Sequence, residues 1–189
     1  MLGYFTPKSA EDSSALRKHF VAATGEFVGT FLFLLTAYLG HAMSVQFAPA
    51  PAPGGGNSNQ TVVFIALSYG FSLLIAAWVL YRVSGGLFNP AITLGMVITG
   101  TLPPARALAL FPAQILGGVC AAAVVSCIIP VDITIVQTTL APNMSVARGL
   151  FLEMVCDVAL RATRLNLIVT HRSIVPDRPL DVHHSHARG

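Results

Sequence analysis

Residues 84–100 read Ser-Gly-Gly-Leu-Phe-Asn-Pro-Ala-Ile-Thr-Leu-Gly-Met-Val-Ile-Thr-Gly, and they are the most informative part of the sequence. Asn89 is a favoured residue at a helix N-cap, and Pro90 suits the first helical position. A helix over residues 89–99 is about 16 Å long at 1.5 Å per residue, which is about half of the hydrocarbon core of a bilayer. The stretch therefore predicts a re-entrant half-helix.

The amino-terminal end of such a half-helix lies near the middle of the membrane, where its unpaired N–H groups form the positive end of the helix dipole. Irregular backbone is tolerated at that depth only where protein buries it or where it lines a water-filled cavity. The half-helix therefore indicates a pore or a cavity, unless it only plugs a helix bundle.

Three long apolar runs flank the half-helix, over about residues 20–45, 61–81 and 106–129. Each can cross a hydrocarbon core of about 30 Å, which takes about 20 helical residues. The chain has 189 residues, of which 54% are hydrophobic and 10% charged, whereas soluble domains carry about 25% charged residues. The sequence predicts an all-α polytopic membrane bundle with three spans, one half-helix and part of a fourth helix.

The positive charges predict the orientation of this bundle, because Lys and Arg are retained on the cytoplasmic side. Arg17 and Lys18 precede the first span, Arg82 follows the second, and Arg106 opens the third, whereas the loop over residues 44–60 carries no charge. We expect the amino terminus and the loop between spans two and three to be cytoplasmic.

Several other classes of function have no support in the residues. Cys120, Cys127 and Cys156 lie in apolar stretches without a CxxC pair or a His at ligand spacing, so no metal or cofactor is expected. No nucleophile elbow, phosphate-binding loop or carboxylate pair indicates an enzyme. The 11 basic residues form no stripe, so nucleic acid is not an expected partner.

The half-helix region resembles the first Asn-Pro-Ala loop of the major intrinsic protein family, the aquaporins and aquaglyceroporins, in its fungal water-channel type. The resemblance extends over residues 20–155. Its matches stand in the family's order and are Gly25-Glu26-Phe27, Ser84-Gly85-Gly86, Asn89-Pro90-Ala91, Thr93-Leu94-Gly95, Gln114 and Gly149-Leu150-Phe151-Leu152-Glu153.

The resemblance implies that Asn89, Pro90 and Ala91 line a pore, in which the Asn89 amide orients single-file water and the half-helix dipole discourages protons and cations. Tyr69 falls at the position of the aromatic residue in the family's outer constriction. An ordinary core aromatic in the second span is the alternative for Tyr69.

Three intramembrane polar residues, Glu26, Gln114 and Glu153, take structural roles by the same resemblance. Glu26 and Glu153 would fix the backbone near the half-helices and so present carbonyl acceptors to the pore. A carboxylate inside a span is expensive and merits a functional hypothesis by default, so a proton relay is the alternative for Glu26.

The family is built from two inverted halves, and the resemblance covers one of them. We expect a cytoplasmic tail over residues 1–19, a partial transmembrane domain over 20–155 and a charged, disordered tail outside the family pattern over 156–189. No second Asn-Pro-Ala followed by Arg occurs in the sequence. The tail is either an amphipathic helix at the membrane surface or out-of-frame or retained-intron coding sequence.

The expected function is passive water transport by an aquaporin-type channel, with this chain inactive alone because the second half is missing. One alternative is a truncated, non-conducting subunit that forms tetramers with full-length aquaporins. Another is a fragment of a channel for a small neutral solute such as glycerol. The expected location is a lipid bilayer, that of the plasma membrane.

Overall fold

The computed structural model describes residues 8–48, 58–130, 132–140, 143–156 and 158, with side chains from residue 16 onward. Every regular element in these ranges is helical, which confirms the all-α prediction. The chain divides into two compact units, residues 1–138 and 139–189. Most of the predicted tail over 156–189 lies outside the described residues.

The first unit contains four α-helices and a short 3₁₀ helix among its described residues. They are α1 (Lys8–Gln46), α2 (Asn59–Ser84), α3 (Pro90–Ile98), α4 (Pro104–Ile128) and the 3₁₀ helix Ile133–Val136. The second unit contains a helix over residues 146–156, which we call α5.

Three segments are long and apolar enough to span a membrane, as predicted. They are Leu16–Gln46, Asn59–Ser84 and Pro104–Ile128. The first helix begins at Lys8, inside the segment predicted as a cytoplasmic tail. No long apolar run is needed there, because a helix that is already formed extends by one hydrogen bond per added residue.

Local sequence explains where the helices begin and end. The Ser58 hydroxyl accepts a hydrogen bond from Thr61 N at 3.2 Å and so caps α2. Gly85 ends that helix in the left-handed region at φ 105°, where glycine carries no steric penalty. Pro104 opens α4, which continues as a helix through Pro112.

The central helix of the first unit is α1, which packs along both α2 and α4, while α3 packs against α4. Close approach between α1 and α4 depends on Gly117, where an added Cβ would lie 2.7 Å from the Phe27 carbonyl oxygen. Small residues permit such contacts between membrane helices, where lipid supplies little hydrophobic force for association. This packing brings three helices together around the turn that precedes α3.

Candidate functional site

The turn between α2 and α3 has a backbone that few sequences adopt. Gly85, Gly86 and Phe88 have φ values of 105°, 65° and 48°, all in the left-handed region. This conformation is uncommon for a bulky residue such as Phe88. Its ring lies directly over Gly29 of α1, where any side chain would collide with it. Packing against α1 therefore helps to hold the turn in its unusual shape.

Glu26 of α1 binds the backbone of this turn through its carboxylate. Its side chain is 0% exposed. Oε1 accepts a hydrogen bond from Leu87 N at 3.0 Å, and Oε2 accepts one from Phe88 N at 2.7 Å. Buried backbone N–H groups need such acceptors, because leaving them unpaired costs free energy comparable to a lost hydrogen bond. The carboxylate thus replaces the partners that a helix or a sheet would supply.

Two further buried side chains extend the network to α3 and α4. Gln114 of α4 donates from Nε2 to Glu26 Oε2 at 2.8 Å and lies 2.8 Å from the Thr93 hydroxyl. The Thr93 hydroxyl is 3.0 Å from the Asn89 carbonyl oxygen, to which it donates. We call Glu26, Gln114, Thr93 and the N–H groups of Leu87 and Phe88 the polar junction, which connects α1, α3, α4 and the turn.

The polar junction lies deep within the helices. Glu26 is ten residues after Leu16, where the first span begins, and Gln114 is ten residues after Pro104, where the third begins. At 1.5 Å per residue, each residue lies about 15 Å along its helix from the start of its span, about half of a hydrocarbon core of about 30 Å. Burial of a polar side chain at that depth costs free energy unless the side chain is hydrogen-bonded.

Asn89 forms the N-cap of α3. Its Oδ1 accepts hydrogen bonds from Ala91 N at 2.8 Å and Ile92 N at 3.4 Å, and Pro90 occupies the first turn. The side chain of Asn89 is half-buried, as are those of Pro90 and Ala91. Because the oxygen faces the helix, the amide nitrogen of Asn89 takes no part in the cap. It is a donor at the positive end of a helix dipole.

Tyr69 lies in a separate place, fifteen residues before the end of α2, or about 22 Å along the helix. Its ring makes edge-to-face contacts with Phe33, Tyr38 and His41 of α1, with centroids 5.9 to 6.5 Å apart. Its hydroxyl is 3.4 Å from His41 Nδ1. The structure therefore places Tyr69 in an aromatic cluster and does not bring it to the polar junction.

Glu153 belongs to α5 in the second unit, and its side chain is exposed. Cys120, Cys127 and Cys156 are exposed as well. Within the described ranges, no group of three or more His, Cys, Asp or Glu residues could hold a metal ion.

The sequence did not predict the parts taken by Thr93, Phe88 and His41. Thr93 stands inside the quoted stretch, four residues after Asn89, where a helical threonine reaches back to a carbonyl; this was an available signal. Nothing local marks Phe88 as left-handed or pairs His41 with Tyr69, since both facts depend on helices that are distant in sequence.

Comparisons with known proteins match the sequence of this chain to one family. The model of the family described as major intrinsic protein matches residues 12–183. "Probable aquaporin-3" of Gibberella zeae is 51% identical over 148 residues, which are 78% of this chain and 52% of that protein. "Aquaporin-7" of Botryotinia fuckeliana is 46% identical, and the match covers 73% of this chain and 31% of that protein. "Aquaporin-2" of the same fungus is 38% identical, and the match covers 90% of this chain and 45% of that protein. The chain thus spans about half, or less, of the length of these relatives.

Proposed function

The chain belongs to the major intrinsic protein family, and we propose that it forms one half of the wall of an aquaporin-type channel for passive water transport. The resemblance read from the sequence is thereby confirmed at the level of the family. The family consists of membrane channels, not enzymes, and the chain is an integral, multi-pass membrane protein. The proposal also covers the solute that passes and the activity of the chain alone.

One observation carries the proposal: the first turn of the half-helix α3 lies at the same depth as the buried carboxylate of Glu26. The N-cap oxygen of Asn89 binds backbone N–H groups of α3, which leaves the amide nitrogen to donate to a passing water oxygen. Pro90 and Ala91 form the adjacent wall in this proposal. The dipole of α3 opposes the entry of protons and cations.

Glu26 and Gln114 have a supporting role in the proposed pore. Each keeps the turn before α3 in place, and the left-handed residues direct two successive N–H groups to one carboxylate. The carbonyl groups of the same turn are then available to water. We assign Glu26 to this structural role in preference to a proton relay, because its hydrogen bonds run to fixed backbone groups and to an amide. We also infer that Glu153 has the matching role in the other half of a complete pore.

Tyr69 is the proposed contributor to the outer constriction. The aromatic cluster around it, with His41 at its hydroxyl, fixes the orientation of its ring. This cluster is also consistent with a purely structural aromatic, and substitution separates the two. Tyr69→Phe keeps the ring contacts, so a changed permeability without changed stability, measured in an assembly with a full-length relative that conducts water, would indicate a constriction residue.

Water permeability of the purified chain in proteoliposomes tests the function. We expect stopped-flow shrinkage close to that of empty vesicles for the chain alone, because half of the pore wall would come from residues that it does not supply. Fast shrinkage with low activation energy would overturn this expectation. Shrinkage in a glycerol gradient distinguishes the water channel from the alternative glycerol channel.

A second candidate function is a subunit that joins full-length aquaporins. The membrane-facing side of α2 favours it, since large apolar side chains such as Trp78 and Phe71 are exposed there and offer a surface to lipid or to another helix. Co-expression with a full-length relative and purification through a tag on this chain tests the association. Recovery of this chain without the relative would contradict it.

We further propose that the amino terminus faces the cytoplasm and that the chain resides in the plasma membrane. The support is the grouping of Arg17, Lys18, Arg82 and Arg106 at one end of the three spans. The segments 1–19 and 156–189 are proposed to lie outside the channel wall. Labelling of single introduced cysteines with an impermeant reagent in intact cells, in a variant whose Cys120, Cys127 and Cys156 are replaced by Ala, tests the orientation.

A further inference from the structure

Four basic side chains line one cavity at the end of the first unit where α1 and α4 begin their spans and α2 ends. The cavity has a volume of about 480 Å³ and is lined by Arg17, Lys18, Val21, Arg82, Val83 and Arg106. They come from three helices that are distant in sequence. We call this cavity the basic pocket.

Its charge makes the basic pocket unusual. Among the described residues that line it, four carry positive charge and none is acidic. Like charges held close together repel, and the repulsion is stronger beside a low-dielectric membrane than in water. The Arg106 guanidinium is held in place, since its Nη2 donates to the Ser84 carbonyl oxygen at 3.2 Å. A site of this kind is stabilised by a multiply charged anion.

The apolar part of the lining indicates the source of that anion. Val21 is 45% exposed and Val83 is 44% exposed, and both lie at the ends of membrane-spanning segments. The pocket therefore opens beside the surface that contacts lipid chains. A soluble anion would gain nothing from these valines, whereas the glycerol and upper acyl carbons of a phospholipid would pack against them.

We propose that the basic pocket binds the headgroup of a phospholipid that carries more than one phosphate group, with its acyl chains along α1 and α2. Basic pockets between membrane helices suit such headgroups, because arginine binds phosphate oxygens through two parallel hydrogen bonds. The volume lies within the range of small-molecule sites, about 300 to 1,000 Å³. The bound lipid would hold the ends of the three spans together.

The chain contains one tryptophan, Trp78, six residues before the end of α2 and 80% exposed. It lies about 9 Å along the helix from Ser84, so it reports on lipids at the pocket. The experiment measures energy transfer from Trp78 to a dansyl-labelled phosphatidylinositol bisphosphate in phosphatidylcholine vesicles that contain the full chain. Unlabelled phosphatidylinositol bisphosphate, phosphatidylserine and inorganic phosphate are added as competitors.

We expect Arg82→Gln to weaken binding about fivefold and the double variant Arg17→Gln, Arg82→Gln about twentyfold, as the loss of one and two basic residues near a membrane implies. Arg82→Lys keeps the charge but not the two parallel hydrogen bonds, so we expect it to weaken binding less than Arg82→Gln does. The matched control is Arg148→Gln, which removes one charge from an exposed position in the second unit.

Three results would overturn the proposal. Equal weakening by Arg148→Gln and Arg82→Gln would mean general attraction to a negative surface. Competition by phosphatidylserine as effective as that by phosphatidylinositol bisphosphate would contradict a site for a multiply phosphorylated headgroup. Displacement by inorganic phosphate at the same concentration would mean that the pocket takes free phosphate and that the lipid is not recognised. Helical content measured by circular dichroism distinguishes lost binding from lost folding in each variant.

Discussion

Glu26 and Glu153 are two carboxylates in similar apolar sequence, with different surroundings. Glu26 follows Gly25 in α1, is 0% exposed and accepts three hydrogen bonds from N–H groups. Glu153 follows Leu152 in α5 and is exposed in its own unit. What distinguishes Glu26 is therefore the set of N–H donors that faces it, and not its apolar neighbours in sequence. Two of those donors belong to a turn some sixty residues further along the chain, and the third is Gln114 of α4.

The comparison predicts its largest effect at Glu26 itself. Glu26→Ala leaves the N–H groups of Leu87 and Phe88 and the amide of Gln114 without their acceptor. Each of the three orphaned buried donors costs about 1–3 kcal/mol, so we expect a loss of at least about 3 kcal/mol in the free energy of unfolding. Titration with a denaturing detergent in mixed micelles, followed by circular dichroism, measures this loss.

The matched control is Glu153→Ala, for which a change within about 0.5 kcal/mol is expected, as for most exposed substitutions. Similar losses for the two variants would remove the distinction between these carboxylates.

The next effect concerns the Phe88 ring, which lies over Gly29. Gly29→Ala places a methyl group on the Phe88 ring, and overpacking of this kind costs about 1–3 kcal/mol. The same detergent titration measures it. The control is Gly70→Ala in α2, where an added Cβ meets nothing within 4 Å, so neutral or slightly raised stability is expected. A stable Gly29→Ala protein would show that the turn does not need this contact.

A smaller effect is expected at the N-cap beside the junction. Asn89→Ala removes the acceptor of Ala91 N and Ile92 N, at a cost of about 1 kcal/mol. Asn89→Ser retains an oxygen at the cap and loses the amide donor without adding a charge. We therefore expect the stability of Asn89→Ser to match the parent chain. If both variants are equally destabilised, the cap oxygen is not what Asn89 contributes.

The smallest effect is expected at a third carboxylate, Asp132, which lies outside the spans. Asp132 is fully exposed, yet its pKa is lowered below the ordinary value of 3.8, because it accepts a hydrogen bond from Thr134 N. A lowered pKa in the folded state adds stability that is present above the unfolded pKa and is lost as pH falls through the folded pKa. The 3₁₀ helix Ile133–Val136 should therefore loosen only at acidic pH.

A carboxyl carbon titration by NMR measures the pKa of Asp132. Asp132→Asn should abolish the acid-dependent change in the amide signal of Thr134. A pKa at or above 3.8 would contradict the effect of the hydrogen bond.

Local sequence was enough to predict the membrane-spanning helices and the residue at which α3 begins. The spans follow from apolar runs of membrane length, and the cap follows from the short oxygen-bearing side chain of Asn89 before Pro90. Both depend on residues that are neighbours along the chain. The resemblance also indicated structural roles for Glu26 and Gln114, although it did not supply their hydrogen-bonding partners.

The amino-acid sequence was sufficient to identify an all-α membrane protein with a half-helix of the family's type. Hydropathy and capping are properties of single segments, so they can be read without knowing what each segment touches. Only in the folded chain does Glu26 bind the turn before α3, Phe88 lie left-handed over Gly29, and four basic side chains line one pocket. These features arise where α1, α2 and α4 meet, because membrane helices associate through close packing and buried hydrogen bonds between residues distant in sequence.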